Sequence, residues 1–227
     1  MSVSEPVKAL LFDLDGTLAD TAADLIEATL RTMDDFGIAR THPSQLRPAV
    51  PNGSMALVEQ AYGEGFAMLS DEQKETLRET LWQHYQNALY DNPTLYRGLA
   101  EAIDVWEQRG LPWGIVTNKP SRFAEPLLGA LGLTERVSVW LGGDSLPRKK
   151  PFPDPLIEAA RRLDLEPQAC VYVGDDRRDV EASQAAHMPC IVAAWDFIPP
   201  GEDPHHWGAN AVVENTGDLI AAIDAIR

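Results

Sequence analysis

The sequence predicts an α/β protein built on a doubly wound parallel sheet. Short apolar runs alternate with helical segments along most of the chain, and such alternation is typical of βαβ units. The runs are apolar throughout instead of alternating, as expected for strands that are buried on both faces of a sheet. Three of the runs also end in polar residues suited to catalysis. The predicted strands cover residues 7–12, 113–117, 137–141, 170–173 and 190–194.

A stretch without strand patterns separates the first predicted strand from the second. Apolar residues recur there at helical spacing, in three segments that end near Gly37, near Gly63 and at Asn92-Pro93. Gly and Pro commonly terminate helices. We therefore predict a helical domain over residues 19–93, inserted into an α/β core formed by residues 1–18 and 94–227. The core helices are predicted at 99–110, 121–131, 154–163 and 216–226, and a further helix follows the fourth strand and runs through Ala186.

The first apolar run ends in two carboxylates, Asp13 and Asp15. Residues two apart share a side of a strand, so both side chains could converge on one point beyond its carboxyl end. Gly16 permits a tight turn there, and the Thr17 hydroxyl could cap the turn or bind an oxyanion. Two like charges this close favour a cation between them, and Mg²⁺ prefers carboxylates together with phosphate oxygens and water.

Two further strand ends carry polar residues, namely Thr117-Asn118 and Gly174-Asp175. The carboxyl ends of parallel strands lie at one edge of the sheet, where ligands bind. A basic run, Arg148-Lys149-Lys150, precedes Pro-x-Pro-x-Pro and looks like a rigidly held anion contact in an otherwise acidic chain. Lys149 and Lys150 are rivals for that contact, and the proline spacing favours Lys150.

Composition narrows the class of protein. The 227 residues carry 35 acidic and 19 basic side chains, a net charge of −16, which argues against nucleic acid or anionic membranes as partners. We find neither a run long enough to span a membrane nor a signal-peptide pattern. The two cysteines, Cys170 and Cys190, lie beside apolar runs and are expected to be buried thiols. We expect a soluble cytoplasmic protein.

Four motifs together resemble those of the haloacid dehalogenase (HAD) superfamily. They are Asp13-Leu-Asp-Gly-Thr17, Val116-Thr-Asn118, Lys150-Pro-x-Pro-x-Pro155 and Val173-Gly-Asp-Asp-x-x-Asp179. The resemblance spans the chain and implies a Rossmann-like core, with the helical insert as a C1 cap domain. It is closest to phosphoglycolate phosphatase-like members. The stretch from Thr117 to Pro126 (TNKPSRFAEP), with Trp207-Gly-Ala, is similar more narrowly to N-acetylmuramic acid 6-phosphate phosphatases. Both substrates stay open.

The resemblance implies a Mg²⁺-dependent phosphatase with an aspartyl-phosphate intermediate. Asp13 would be the nucleophile, and Asp15 would protonate the leaving group and later activate water. The metal would be held by the Asp13 carboxylate, the backbone carbonyl of Asp15 and Asp175. Asp176 would be a further residue near the metal.

The remaining roles concern the phosphate group. The resemblance implies that Thr117 and Lys150 stabilise its oxygens, with Thr17 and Asn118 as further contacts. Asp179 would orient Lys150 or a metal-bound water.

Specificity for a small phosphate ester is expected from the helical insert. Arg47, Asn52, Gly53 and Ser54 are the candidate contacts there, together with Arg122 of the core. The alternatives are a sugar phosphate mutase and a regulatory binding protein of the same fold. A dehalogenase is disfavoured, since that chemistry needs no Mg²⁺ and dehalogenases lack the second aspartate. A monomer or a homodimer is expected.

Overall fold

The computed structural model describes residues 6–88, 94–196, 198–199 and 201–226. Within these residues a six-stranded parallel sheet has the strand order β3-β2-β1-β4-β5-β6. The α/β fold class predicted from the sequence is confirmed. The strands are β1 (Ala9–Phe12), β2 (Trp113–Val116), β3 (Val139–Leu141), β4 (Cys170–Gly174), β5 (Cys190–Ala193) and β6 (Ala211–Val213).

Helices connect the strands and also form the insert. The α-helices in the described part of the chain are α1 (Ala22–Asp35), α2 (Pro43–Leu46), α3 (Ser54–Tyr62), α4 (Asp71–Ala88), α5 (Leu99–Gln108), α6 (Ser121–Ala130), α7 (Asp154–Arg162), α8 (Arg177–Ala185) and α9 (Leu219–Ala225). Short 3₁₀ helices cover Arg47–Asn52, Glu64–Met68, Pro167–Ala169, Pro204–His206 and Thr216–Asp218. Pro126 lies inside α6.

The chain divides into two compact units. One consists of Met1–Asp20 with Thr94–Arg227, and the other is Thr21–Pro93. The described secondary structure of the second unit is entirely helical. The insert predicted over residues 19–93 contains this unit, and its function as a cap stays a prediction.

The central strands owe their stability to burial on both faces. Every residue of β1, β2, β4 and β5 is buried, α7 packs on β2 and β3, and α8 packs on β4 and β5. Fully burying one large apolar side chain contributes about 1.5–3 kcal/mol. The apolar runs read from the sequence therefore form strands whose side chains are buried on both faces of the sheet.

A sixth strand in the described part of the chain, β6, is not among the five strands predicted from the sequence. The strand has only three residues and pairs in parallel with β5 through Ile191 and Ala211. A strand this short at a sheet edge has too few residues to show a period of its own.

Strand register brings three strand ends together. Phe12 of β1 pairs with Ile115 of β2 on one side and with Val173 of β4 on the other. The residues that follow these partners therefore leave the same edge of the sheet. This edge lies where the strand order reverses on either side of β1, which is where α/β sheets bind ligands.

The helical unit has its own core and its own helix signals. Its buried side chains include Leu30, Met33, Leu57, Leu81 and Tyr85. The helix preceding Gly37 ends as predicted, because Gly37 adopts a φ of 67°. At the start of α4, Ser70 and Gln73 form a reciprocal pair of capping hydrogen bonds. The Ser70 N–H donates to Gln73 Oε1 at 2.9 Å, and the Gln73 N–H donates to Ser70 Oγ at 3.2 Å.

No helix among the described residues combines the length and the apolar character that a membrane crossing requires.

Candidate active site

The site is built on the aligned ends of β1, β2 and β4. The Asp13 backbone N–H donates to the Val173 carbonyl at 2.8 Å, which extends the β1–β4 pairing by one residue. The Thr117 N–H donates to the Leu141 carbonyl at 2.9 Å, which does the same for β2 and β3. The first polar residues after β1 and β2 are therefore fixed by backbone bonds to the neighbouring strands.

A buried lysine lies at the centre of this edge. The side chain of Lys150 is 2% exposed, and its ammonium lies 2.9 Å from Asp13 Oδ2 and 2.7 Å from Asp179 Oδ1. It also donates to the Tyr172 hydroxyl at 2.7 Å. Burial alone would lower the pKa of Lys150, but the Asp13 and Asp179 carboxylates raise it above its ordinary value. Lys149, the rival cation, is exposed.

The Tyr172 hydroxyl holds the Lys150 ammonium in place by a hydrogen bond. The hydroxyl accepts the Lys150 bond and donates to the Val116 carbonyl at 2.7 Å. Burial, followed by the Asp179 and Asp13 charges, raises the pKa of Tyr172 well above its ordinary value. The hydroxyl therefore stays protonated and keeps both bonds.

Three carboxylates form a cluster beside Lys150. Oxygens of Asp13, Asp175 and Asp179 lie within 4.8 Å of one another. Burial raises the pKa of Asp179 to about 6, although the Lys150 charge lowers it. Burial and the neighbouring Asp13 and Asp179 charges raise the pKa of Asp175 well above its ordinary value. The three carboxylates together outnumber the single ammonium between them.

This donor set fits a hard divalent cation. Carboxylate oxygens are the ligands that Mg²⁺ prefers, and a cation would offset the repulsion that raises the Asp175 pKa. The Asp175 carboxylate lies close against the turn after β1. Gly16 in this turn has a φ of 78°, and a Cβ placed there would collide with Asp175. The Thr17 hydroxyl, fully buried, donates to Asp175 Oδ1 at 2.7 Å. Asp175 is thus oriented by the loop that carries Asp13.

The Asp15 carboxylate forms an ion pair with a second buried lysine, Lys119. The Lys119 ammonium lies 3.0 Å from Asp15 Oδ1 and 3.1 Å from Oδ2. The Lys119 side chain is 1% exposed, whereas that of Asp15 is 29% exposed. The two carboxylates of the first motif, Asp13 and Asp15, therefore contact different ammonium groups.

Thr117 and Asn118 are both held in place at the end of β2. The Thr117 hydroxyl oxygen accepts the Lys119 backbone N–H at 3.1 Å, and Thr117 is buried. Asn118 Nδ2 donates to the Lys150 carbonyl at 2.9 Å, which ties the Lys150 loop to this strand end. Both residues belong to the same edge as Asp13, and their contacts with a substrate stay predictions.

Asp176 takes part in the start of α8. Its side chain accepts the Arg178 N–H at 2.8 Å and pairs with the Arg178 guanidinium, while Asp179 Oδ2 accepts the Asp176 N–H at 3.0 Å. The reciprocal pair is a capping box. The Asp176 carboxylate is therefore engaged at the helix start, and its place near the metal stays a prediction.

The other predicted contacts are spread over both units. Arg47 and Asn52 are the first and last residues of a 3₁₀ helix in the helical unit, and Gly53 precedes α3 with a φ of 88°. Asn52 and Gly53 are exposed. Arg122 lies exposed near the start of α6, with its guanidinium 4.6 Å from the centre of the Phe123 ring. A role of these residues in substrate binding stays a prediction.

Lys119 and Tyr172 were not assigned to the site by the sequence analysis. Lys119 follows Thr117 by two residues, so the side-chain alternation of an extended chain was an available signal. Tyr172 is the one polar side chain in the run Cys170-Val-Tyr-Val173. A phenol inside a strand that is otherwise apolar indicates a buried hydrogen-bond partner.

The comparisons with known proteins agree with this geometry. Residues 10–193 match the family described as haloacid dehalogenase-like hydrolase. The chain belongs to this family. The resemblance noted from the motifs is thereby confirmed, as is the assignment of the chain as a hydrolase.

Individual relatives match nearly the whole chain. An N-acetylmuramic acid 6-phosphate phosphatase of Pseudomonas aeruginosa is 37% identical and aligns over 96% of this chain and 95% of its own. A phosphoglycolate phosphatase of Xanthomonas campestris pv. campestris is 39% identical over 93% and 94% of the two chains. A crystal structure of a "predicted phosphoglycolate phosphatase" from Haemophilus somnus superposes with a TM-score of 0.84 at 24% identity, covering 94% and 96%.

Proposed function

We propose that this HAD-family hydrolase is a Mg²⁺-dependent phosphomonoesterase that works through an aspartyl-phosphate on Asp13. The observation that carries the proposal is the position of the Asp13 carboxylate. It lies at the end of the central strand, 2.9 Å from the buried Lys150 ammonium and within the cluster that includes Asp175. A carboxylate that attacks a dianionic phosphate needs positive charge beside it, because the two anions repel each other. The Lys150 ammonium supplies this charge beside Asp13.

In the first step, a carboxylate oxygen of Asp13 bonds to phosphorus as the bond from phosphorus to the ester oxygen breaks. Lys150 offsets the charge on the transferring oxygens, and the Thr117 hydroxyl and nearby backbone amides donate to them. In the second step, water attacks the phosphorus, which releases phosphate and restores the Asp13 carboxylate. Splitting one displacement into two lets the same strand end serve both.

Asp15 is assigned the proton transfers. Its proton goes to the leaving alkoxide oxygen in the first step, and its carboxylate takes a proton from the attacking water in the second. Its side chain is 29% exposed, which suits a group that takes its proton back from a water molecule.

Mg²⁺ is the proposed metal, held by Asp13, Asp175 and the backbone carbonyl of Asp15. When bound, it supplies charge neutralisation between the phosphate and the carboxylates. Asp179 is assigned to orientation of Lys150, which it contacts at 2.7 Å.

For the substrate, we propose either 2-phosphoglycolate or N-acetylmuramic acid 6-phosphate. The two relatives that support this choice carry one of these names each, at nearly equal identity. Both compounds combine a phosphate ester with a carboxylate. Arg47, Asn52 and Gly53 of the helical unit, acting as a cap, and Arg122 of the core are the proposed specificity contacts. The enzyme is proposed to act in the cytoplasm as a monomer or homodimer, and its two free thiols suit a reducing compartment.

The test is a phosphate-release panel with and without Mg²⁺. It includes p-nitrophenyl phosphate, 2-phosphoglycolate, N-acetylmuramic acid 6-phosphate and common sugar phosphates. We expect Mg²⁺-dependent release from p-nitrophenyl phosphate and a preference for one of the two named compounds. Asp13→Asn should be folded and inactive, because the nucleophile is lost with almost no change in volume.

Each failure has a separate meaning. An isomerised sugar phosphate without free phosphate would identify a mutase. Activity on p-nitrophenyl phosphate alone would contradict both proposed substrates, and residual turnover by a clean Asp13→Asn preparation would remove Asp13 from its role.

A further inference from the structure

We propose that Lys119 is a positioning residue that holds the Asp15 carboxylate for proton transfer, an inference that rests on the proposed function. The first support is the contact itself. The Lys119 ammonium reaches both Asp15 oxygens, at 3.0 and 3.1 Å. A cation shared by both oxygens restrains rotation of the carboxylate about its last bond, which a contact to one oxygen would not do.

The second support is the unequal burial of the pair. Lys119 is buried along its side chain, at 1% exposure, while Asp15 is 29% exposed. The lysine is therefore the fixed partner and the aspartate is the partner that reaches toward solvent. A partly exposed carboxylate has several staggered orientations available, and a fixed ammonium beneath it selects one.

The third support is the anchoring of the lysine backbone. Its N–H donates to the Thr117 hydroxyl oxygen at 3.1 Å, and its carbonyl accepts the Gly143 N–H at 2.8 Å. Gly143 itself lies against the Asn118 backbone so closely that a Cβ would collide with the Asn118 carbonyl. The backbone that carries Lys119 is thus fixed on both sides, and it links Asp15 to Thr117.

The two buried lysines, Lys119 and Lys150, contact different carboxylates of the site. Lys150 contacts Asp13 and Asp179, whereas Lys119 contacts Asp15. Lys119 therefore acts on the proton-transfer group and Lys150 on the nucleophile. Loss of Lys119 should affect only those steps in which Asp15 transfers a proton.

The experiment combines Lys119→Met with Asp15→Asn in a double-mutant cycle. Because Asp15 also activates water in the second step, the readout is the pre-steady-state burst of leaving group, which reports formation of the aspartyl-phosphate. Misplacement of a catalytic group costs up to about 100-fold, so we expect Lys119→Met to slow this burst for an alkyl phosphate by about that factor. The burst for p-nitrophenyl phosphate should slow much less, because p-nitrophenolate leaves without a proton. In the Asp15→Asn background, Lys119→Met should add almost nothing, since the group that it positions is already gone.

Two variants serve as references. Lys119→Arg keeps the charge and should restore part of the lost burst rate. Lys149→Met removes an exposed lysine from the same chain and should leave both rates unchanged. If Lys119→Met does not fold, Lys119→Arg carries the test, because its displaced charge should still slow the alkyl phosphate more than p-nitrophenyl phosphate.

The outcomes separate the two proposals. A wild type that releases no phosphate overturns the proposed function and this inference with it. An active wild type in which Lys119 substitutions slow the burst of both substrates equally, or in which their effect on the burst multiplies with that of Asp15→Asn, overturns the inference alone and leaves Lys119 with a structural role.

Discussion

At the scale of single residues, the site is a set of buried charges that satisfy one another. Lys150 and Asp179 are almost inaccessible to water, and each contacts the other at 2.7 Å. An ion removed from water without a partner costs several kcal/mol, so these pairs are required for folding as well as for the proposed chemistry. Tyr172 completes the environment of Lys150 without adding a charge.

Tyr172→Phe tests this support at almost constant volume. The substitution removes the hydroxyl that accepts from Lys150 and donates to the Val116 carbonyl, both at 2.7 Å. Hydrogen bonds to charged groups contribute about 1.5–3 kcal/mol, so the free energy of unfolding should fall by about that amount. Urea unfolding monitored by circular dichroism measures it. An unchanged midpoint and slope would contradict the contact between the hydroxyl and Lys150.

At the scale of elements, the loops after the strands depend on positions that have no side chain. A Cβ at Gly16 would collide with Asp175, and a Cβ at Gly174 would collide with the Asp179 carboxyl. The two glycines lie after β1 and at the end of β4 respectively. Close approach of these loops therefore sets the spacing of the carboxylate cluster, since any larger residue would separate the two elements.

Gly16→Ala should disrupt the proposed metal site, with Gly37→Ala as the matched control. Both glycines have positive φ, 78° and 67°, but only Gly16 has neighbours in the way of a Cβ. An L-residue in this conformation costs about 1–2 kcal/mol, which both variants should show. Only Gly16→Ala should also displace Asp175 and lose the rise in melting temperature that bound Mg²⁺ gives.

The readout is a thermal melt with and without Mg²⁺, which does not require activity. Equal Mg²⁺ stabilisation in wild type and both variants would show that the contact between Gly16 and Asp175 has no bearing on the metal. Loss of that stabilisation in Gly37→Ala would mean that the control acts by general destabilisation.

At the scale of the whole molecule, the parallel sheet is the unit that must unfold to expose the interior. Cys170 of β4 and Cys190 of β5 are free and buried in it. Burial raises the pKa of Cys170 to about 11 and that of Cys190 to about 12. Reaction of these thiols is therefore disfavoured in two ways. Reagents cannot reach the buried sulfurs, and the raised pKa values keep the thiols from ionising to the reactive thiolate.

Thiol labelling should report opening of this sheet. At pH 8 in native buffer, we expect a disulfide reagent to label neither cysteine, and to label both once urea unfolds the protein. Cys170→Ala and Cys190→Ala each leave one reporter, and both should show the same urea dependence because their strands are adjacent in the sheet. Rapid labelling of either thiol in native buffer would contradict its burial.

Much of the fold was predictable because its signals are local. Apolar runs of four to five residues mark β1, β2, β4 and β5. Gly37, which has a positive φ, marks the end of α1. The edge strand β6 was not predictable in the same way. Its three residues are held by pairing with β5, and that pairing is not written in the strand's own sequence.

The sequence by itself determined the central strands of the sheet and the polar residues that follow three of them. Strand burial follows from consecutive apolar residues, and parallel connections place Asp13, Thr117 and Asp175 together. Only the tertiary structure decided that Asp15 pairs with Lys119. Lys119 lies 104 positions from Asp15 in the sequence and contacts both of its oxygens. Which ammonium reaches which carboxylate depends on loop paths and on the exclusion of water, and neither is encoded by neighbouring residues.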